Sequence, residues 1–173
     1  GTEQSDRYII SNKIADWCKS KGLNVFTYYY MHGKLVYFYQ KLFDKSFKEF
    51  DYKKLSFTSL TTDQILELYK QSKVILDINH PGQTGLTMRT FESLGAGKKL
   101  ITTNKEIKKY PFYNSNNIFF IDRNNIQLDE NFFKTEYEEI NKDLYEKSSI
   151  TGWLKEVMLN AEKDDWKPLM KNN

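Results

Sequence analysis

The order of apolar runs and breakers between Val74 and Thr103 constrains this chain more than any other feature. Val74 to Ile78 is a short branched run of strand character, and Asn79 to Gly85 is a loop holding two glycines. Leu86 to Leu94 then carries a helical stripe, and Lys99 to Thr102 is a second strand run. Two strands joined through a helix run parallel, and a parallel sheet is buried on both faces. The same alternation extends in both directions.

Upstream, Asp6 to Lys21 places Ile9, Ile10, Ile14, Trp17 and Cys18 at helical spacing and stops at Gly22. Leu23 to Tyr30 reads as a strand, Lys34 to Phe50 as a helix with a break, and Leu55 to Leu60 as a short strand. Thr61 or Thr62 caps a helix over Asp63 to Gln71, with Ile65, Leu66, Leu68 and Tyr69 as its buried side. Downstream, a short helix over Lys105 to Lys109 ends at Tyr110-Pro111, because the residue before proline is pushed out of helical geometry. Ile118 to Ile121 is a further strand, and Phe132 to Lys147 and Ile150 to Asn160 are helices. The expected fold is α/β and Rossmann-like, with a mostly parallel sheet and helices on both faces. One domain is expected over residues 1–163, with a polar tail over 164–173. Gly1-Thr2 leads straight into a helix, so the strand that usually opens such a sheet is expected to be missing from this chain.

Charge narrows the function classes. With 26 Lys and Arg against 23 Asp and Glu the net charge is +3, and the charges are scattered instead of gathered in a basic block, so no nucleic-acid partner is expected. The single cysteine, Cys18, lies in a helical pattern and reads as a buried small hydrophobe in a reducing cytoplasm. No apolar run approaches the roughly 20 residues of a membrane span. The aromatics crowded between Phe26 and Phe43 suit a membrane interface or a sugar acceptor, but core and half-exposed strand is the expectation for them. Two isolated histidines without clustered cysteines or carboxylates make no metal site.

In open α/β sheets ligands bind beyond the carboxyl ends of the strands, where loops and helix N-termini offer unpaired N–H groups. The loop Asn79-His80-Pro81-Gly82-Gln83-Thr84-Gly85 is in such a place. Gly82 and Gly85 allow close approach of the backbone to a ligand, and the following helix turns its positive end toward a phosphate. Gly85, Arg89 and Glu92 share one helical face, while Met88, Phe91 and Gly95 fall on another that can pack on the sheet. Arg89 suits a diphosphate and Glu92 suits ribose hydroxyls. The plainer reading is a solvated Arg89–Glu92 pair, worth tenths of a kcal/mol. His80 is either a donor-orienting group or base, or a cap on a backbone group. Asp77, at a strand end, is either an active-site acid or a loop anchor.

The run Arg89-Thr90-Phe91-Glu92-Ser93-Leu94-Gly95-Ala96-Gly97-Lys98-Lys99-Leu100-Ile101-Thr102-Thr103 resembles the donor-binding signature of GT-B glycosyltransferases. Asp77 with Pro81-Gly82-Gln83-Thr84-Gly85-Leu86, and Asp6-Arg7-Tyr8, are also similar to the bacterial group acting on lipopolysaccharide and capsular polysaccharide. The resemblance implies a domain that holds a nucleotide-diphosphate sugar without a metal. Glu92 would bind the ribose, the Gly82, Thr84 and Gly85 loop would receive the diphosphate, and Arg89, with Arg7 as a second contact, would neutralise it. It further implies a glycan or lipid-linked acceptor held by an N-terminal domain outside this chain, at the cytoplasmic side of the membrane, with peripheral association of the full enzyme. Retaining members carry two glutamates separated by seven residues; Thr84 stands at the first of those positions here, so the stereochemistry is open. A non-catalytic nucleotide-binding or regulatory module on the same fold is the alternative. A phosphoryl-accepting receiver needs an acidic cluster at the strand ends, for which Asp77 stands too alone.

Overall fold

The computed structural model describes residues 6–43, 51–152 and 154. The chain is α/β and divides into two compact units, Gly1–Glu67 and Leu68–Asn173. The second half of the expected helix over Lys34 to Phe50, most of that over Ile150 to Asn160, and the polar tail lie outside the described residues. Among the described residues no helix is long and apolar enough to cross a membrane.

In the first unit, helix α1 (Asp6–Ser20) buries Ile10, Ile14, Ala15 and Cys18, and burial pushes the Cys18 thiol up from its ordinary value. Gly22 ends the helix in the left-handed region at φ 72°, with the Leu23 N–H donating to the Cys18 carbonyl at 3.0 Å. The strand expected over Leu23 to Tyr30 is reduced to β1 (Tyr29–Tyr30), which pairs in parallel with β2 (Leu55–Ser56) in the register Tyr29–Leu55 and Tyr30–Ser56. Tyr29 is anchored from α1, its hydroxyl 2.8 Å from that of Ser11 and its ring edge-on to Tyr8. Helix α2 (Lys34–Phe43) departs from expectation: Tyr37 is buried, but Leu35, Val36, Phe38, Tyr39 and Leu42 are exposed. A ten-residue helix that is apolar nearly all round has more greasy surface than one contact face can cover.

Helix α3 (Thr62–Gln71) opens on a reciprocal cap: the Gln64 N–H donates to the Thr61 hydroxyl and the Thr61 N–H to the Gln64 side chain. Of its apolar residues only Leu68 and Tyr69 are half-buried, and Ile65 and Leu66 are exposed, because four apolar positions span a wider arc than the helix presents inward.

The second unit is organised by β3 (Val74–Asp77), β4 (Lys99–Thr102) and β5 (Ile118–Phe120), all parallel, in that spatial order. Central β4 is buried along its whole length, and Leu100 joins Leu94, Ile107, Phe112 and Ile118 in the core. Helix α4 (Met88–Gly95) contributes Leu94 and half-buried Phe91, while Met88 points to solvent. Gly97, at φ 61°, turns the chain from α4 back into β4. The turn over Lys105–Lys109 is a 3-10 helix that ends at extended Tyr110, as the following proline requires.

Phe132 to Lys147 is not one helix. Helices α5 (Glu130–Lys134) and α6 (Lys142–Ser148) are separated by an extended stretch. Buried Asn117 holds that stretch as a strand neighbour would: its Nδ2 donates to the Glu138 carbonyl at 2.7 Å and its Oδ1 accepts from the Glu138 N–H at 2.9 Å. The Asn116 amide adds a bond to the Glu136 carbonyl at 2.8 Å. These side chains offer the backbone better partners than a helix would.

At the amino end of β4, the buried Lys99 donates from Nζ to the Phe132 carbonyl at 2.9 Å and the Thr135 hydroxyl at 2.5 Å, with the ammonium 4.7 Å from the Phe132 ring centroid. Desolvation holds its ammonium below the usual lysine range. The charged form is therefore disfavoured in the folded state, a cost to stability at neutral pH that is released as pH rises toward the ordinary lysine value. Lys99→Ala is expected to lower the unfolding free energy by about 2–4 kcal/mol in urea denaturation, through the cavity and the orphaned Phe132 carbonyl. Lys99→Met, which keeps length and drops charge, should recover most of that loss; equal losses in the two variants would show that the ammonium, not the packing, is what matters.

Candidate functional site

Beyond the carboxyl ends of β3, β4 and β5 lies a cluster of buried polar side chains built from the strand ends themselves. Asp77, the last residue of β3, is buried and accepts a 2.6 Å hydrogen bond at Oδ2 from the Thr87 hydroxyl. Thr87 is the N-cap of α4, and its oxygen accepts from the Thr90 N–H. One threonine thus ties the strand end to the helix start. Asp77 serves here as a loop anchor.

Asn79, also buried, spans the loop it opens: its Nδ2 donates to the His80 carbonyl at 3.1 Å and, more weakly, to that of Gln83 at 3.4 Å. Its Oδ1 accepts from the Thr103 hydroxyl at 2.6 Å, which links the end of β3 to the end of β4. Arg123, beyond β5, donates to the Asn79 carbonyl and lies 3.4 Å from the Thr103 hydroxyl. Asn104 completes the cluster, since its buried side chain donates to the Gly85 carbonyl at 3.0 Å while its Oδ1 caps the following turn.

The loop itself is exposed at Gly82, Thr84 and Gly85. The His80 Nδ1 accepts from the Gly82 N–H at 3.2 Å, and the His80 carbonyl accepts from the Gln83 N–H at 2.9 Å. With Nδ1 an acceptor, the neutral imidazole carries its proton on Nε2. The N–H groups of Thr84 and Gly85 have no acceptor among the described residues, and the first-turn N–H groups of α4 follow directly after them. The helix starts later than its apolar stripe suggests, so Gly85 belongs to the loop and not to the face that carries Arg89 and Glu92.

Arg89 and Glu92 are both exposed on α4 and meet at a third group, Tyr69 of α3. The Tyr69 hydroxyl donates to Glu92 Oε2 at 3.0 Å and also interacts with the Arg89 guanidinium. Desolvation and then the Glu92 carboxylate push the phenol up to about 12, against a smaller opposing pull from Arg89. Six of the residues singled out from sequence, His80, Gly82, Thr84, Gly85, Arg89 and Glu92, lie in this unit; Arg7 is exposed on the first turn of α1 in the other.

Sequence reasoning missed Tyr69, Asn79, Thr103, Asn104 and Arg123. Tyr69 read as an apolar core residue of α3, and isolated asparagines have no spacing that marks them. Thr103 and Arg123 follow the ends of β4 and β5 by one and three residues, and that was the one available signal. A cavity of about 530 Å³ lies elsewhere, along β5 and α5, lined in part by Lys108, Asn116, Asp129 and Thr135; none of the residues singled out from sequence borders it. Its Asp129 is spent capping α5, and the Lys108 ammonium sits over the Phe120 ring.

Two outcomes are expected. Thr87→Ala, which removes the cap and leaves the buried Asp77 without this donor, should cost about 1–3 kcal/mol of stability in thermal or urea unfolding, and Thr87→Ser should restore most of it. In an alkaline absorbance titration, wild type minus Tyr69→Phe should isolate a phenolate that forms near pH 12, and Glu92→Gln should move it lower. Because the raised phenol favours the folded state only while protonated, its contribution is full below about pH 10 and is lost as pH climbs through about 12. A difference signal centred near 10 would mean that Tyr69 does not bond to Glu92.

Comparison of the chain with protein-family models, with curated proteins and with solved structures finds no match.

Proposed function

We propose that the second unit binds the nucleoside diphosphate part of an activated sugar, as the donor half of a glycosyltransferase. The observation that carries this reading is the juxtaposition, beyond the carboxyl end of β3, of Thr84 and Gly85 N–H groups that have no acceptor among the described residues with the start of α4 and the exposed Arg89 and Glu92. In this mechanism the diphosphate lies on those N–H groups, where fixed dipoles and the helix end favour negative charge, and Arg89 neutralises it. Glu92 accepts hydrogen bonds from the ribose hydroxyls, with Tyr69 holding one carboxylate oxygen in place. When the sugar departs, charge grows on the diphosphate, and groups already aimed at it lower the barrier. His80, protonated on Nε2, acts as a hydrogen-bond donor to the sugar or phosphate in place of a general base. The base and the glycan or lipid-linked acceptor belong to a second domain.

The internal bonding of the loop favours a second reading. The Gly82 and Gln83 N–H groups are already spent on His80, and the Asn79 amide fills the loop from beneath. A pre-satisfied loop suits a non-catalytic nucleotide-binding or regulatory module that needs only Thr84, Gly85 and Glu92.

Calorimetric titration with UDP, GDP, ADP and CDP tests the nucleotide binding that both readings require. At least one nucleotide should bind, Glu92→Ala should weaken it by about tenfold or more, and Arg89→Ala should erase the preference for a diphosphate over a monophosphate. Absence of binding to all four, or binding indifferent to Glu92→Ala, would sink the proposal. Binding without any release of sugar from a matching nucleotide sugar, even with the complete enzyme, would favour the regulatory module.

A further inference from the structure

The amino end of the three-stranded sheet, opposite the nucleotide loop, holds a buried charge without a counter-charge. Lys99, the first residue of β4, is 3% exposed, and its ammonium donates to two neutral acceptors, the Phe132 carbonyl and the Thr135 hydroxyl. The Phe132 ring, 4.7 Å from the ammonium, offers a quadrupole and not a charge. Among the described residues no carboxylate pairs with Lys99; Glu136 and Glu138 act on it only from farther off. An ammonium taken out of water is ordinarily matched by an anion, because a bare buried charge is costly.

A cavity of about 240 Å³ adjoins this lysine. Lys73, Lys98, Lys99, Thr135, Glu136 and Tyr137 are among its walls, so three lysines meet a single carboxylate there. Lys73 and Glu136 form a 3.0 Å pair, but their side chains are 70% and 81% exposed, and a pair so solvated contributes little and yields readily to a better partner. Lys98 donates to the Lys70 carbonyl at 3.1 Å, a neutral acceptor, and has no carboxylate partner among the described residues. The half-buried Tyr137 hydroxyl has no hydrogen-bond partner among the described residues, and burial pushes its phenol up, which keeps it a protonated donor. The N–H groups of Gly97, Lys98 and Lys99 are spent on the carbonyls of Leu94, Ser93 and Lys73, so recognition falls to the side chains. Three lysines against one glutamate leave two positive charges, which a phosphate dianion matches. The volume is below the roughly 300–1,000 Å³ of pockets that enclose drug-sized ligands, and so suits a phosphate bearing few carbons better than a whole nucleotide.

We propose that Lys73, Lys98 and Lys99 hold a small phosphate dianion, free or as a monoester, in this cavity, with the Tyr137 hydroxyl donating to it. Lys99 supplies the buried charge, and Lys73 exchanges Glu136 for the ligand. The anion ties the starts of β3 and β4 to the stretch that follows α5, so its binding stabilises that end of the fold. The site is at the other end of the strands from the nucleotide loop and does not depend on it.

In phosphate-free buffer, inorganic phosphate should bind the purified chain in calorimetric titration and raise its thermal unfolding midpoint beyond what sodium chloride of equal ionic strength does. Lys73→Gln together with Lys98→Gln, both outside the core, should weaken binding by about tenfold or more with an unchanged circular dichroism spectrum. Lys99→Met should abolish it; if that variant does not fold, the glutamine pair still decides. Glycerol 3-phosphate probes the monoester: tighter binding than inorganic phosphate assigns the cavity to an ester, and weaker binding assigns it to the free ion. Arg89→Ala, which reads the nucleotide loop, should leave phosphate binding here unchanged. Absence of phosphate binding overturns the proposal, as does stabilisation that sodium chloride matches. Binding that Arg89→Ala removes and the glutamine pair leaves intact also overturns it, and places the anion on the nucleotide loop instead. Phosphate binding lost with the lysines in a chain that binds none of the four nucleotides sustains this site while the nucleotide reading fails.

Discussion

The second unit depends on the hydrogen bond from Thr87 to Asp77. A buried carboxylate at a strand end needs partners, because an unsatisfied charge in a dry interior costs several kcal/mol. The Thr87 hydroxyl supplies one, and the same oxygen receives the first turn of α4. The position of the helix start relative to β3 is thereby set by a side chain only a few atoms long. Asn79, Thr103, Asn104 and Arg123 extend the arrangement across the ends of all three strands, so that the loop between Asn79 and Thr87 is held from below at the carbonyls of His80, Gln83 and Gly85. Holding a loop by its carbonyls has a directional effect. Acceptors are drawn into the protein, and the Thr84 and Gly85 donors have no acceptor among the described residues.

Much of this frame was legible in the sequence. Strands Val74 to Thr102 were read almost to the residue, because a buried parallel strand is a short branched run and glycine or proline marks its ends; Gly97 and Tyr110-Pro111 behaved as their backbone preferences demand. The start of α4 was misplaced because Leu86 fits the apolar period, while the decisive group was the Thr87 cap, whose partner Asp77 lies ten positions away. The extended stretch after Thr135 was illegible for the same reason. Its helical pattern is overruled by Asn116 and Asn117, and no local property of residues 136–140 reveals that.

At the candidate site, Arg89 and Glu92 could be named from spacing because they share a helix. Tyr69 could not, since a tyrosine among Ile65, Leu66 and Leu68 looks apolar until its hydroxyl is seen to reach another helix. The aromatic crowding between Phe26 and Phe43 shows the limit of composition: the same rings that would fill a core stand exposed along α2, and only fractional exposure separates the two cases. Chemistry placed within one element is readable in a sequence, whereas chemistry shared between elements has to be seen.

Asn117 carries a consequence for which substitutions the chain can accept. Its side chain imitates a peptide group, giving and receiving a hydrogen bond against the same residue, Glu138. Aspartate has the shape but lacks the donor, leucine has the volume but neither function, and glutamine adds a methylene in a position with no room to spare. A site that demands shape and both polarities at once leaves a narrow range of neutral drift, so the attachment of the stretch around Glu138 is brittle to mutation in a way that the hydrophobic core, where several aliphatic residues of similar size are interchangeable, is not.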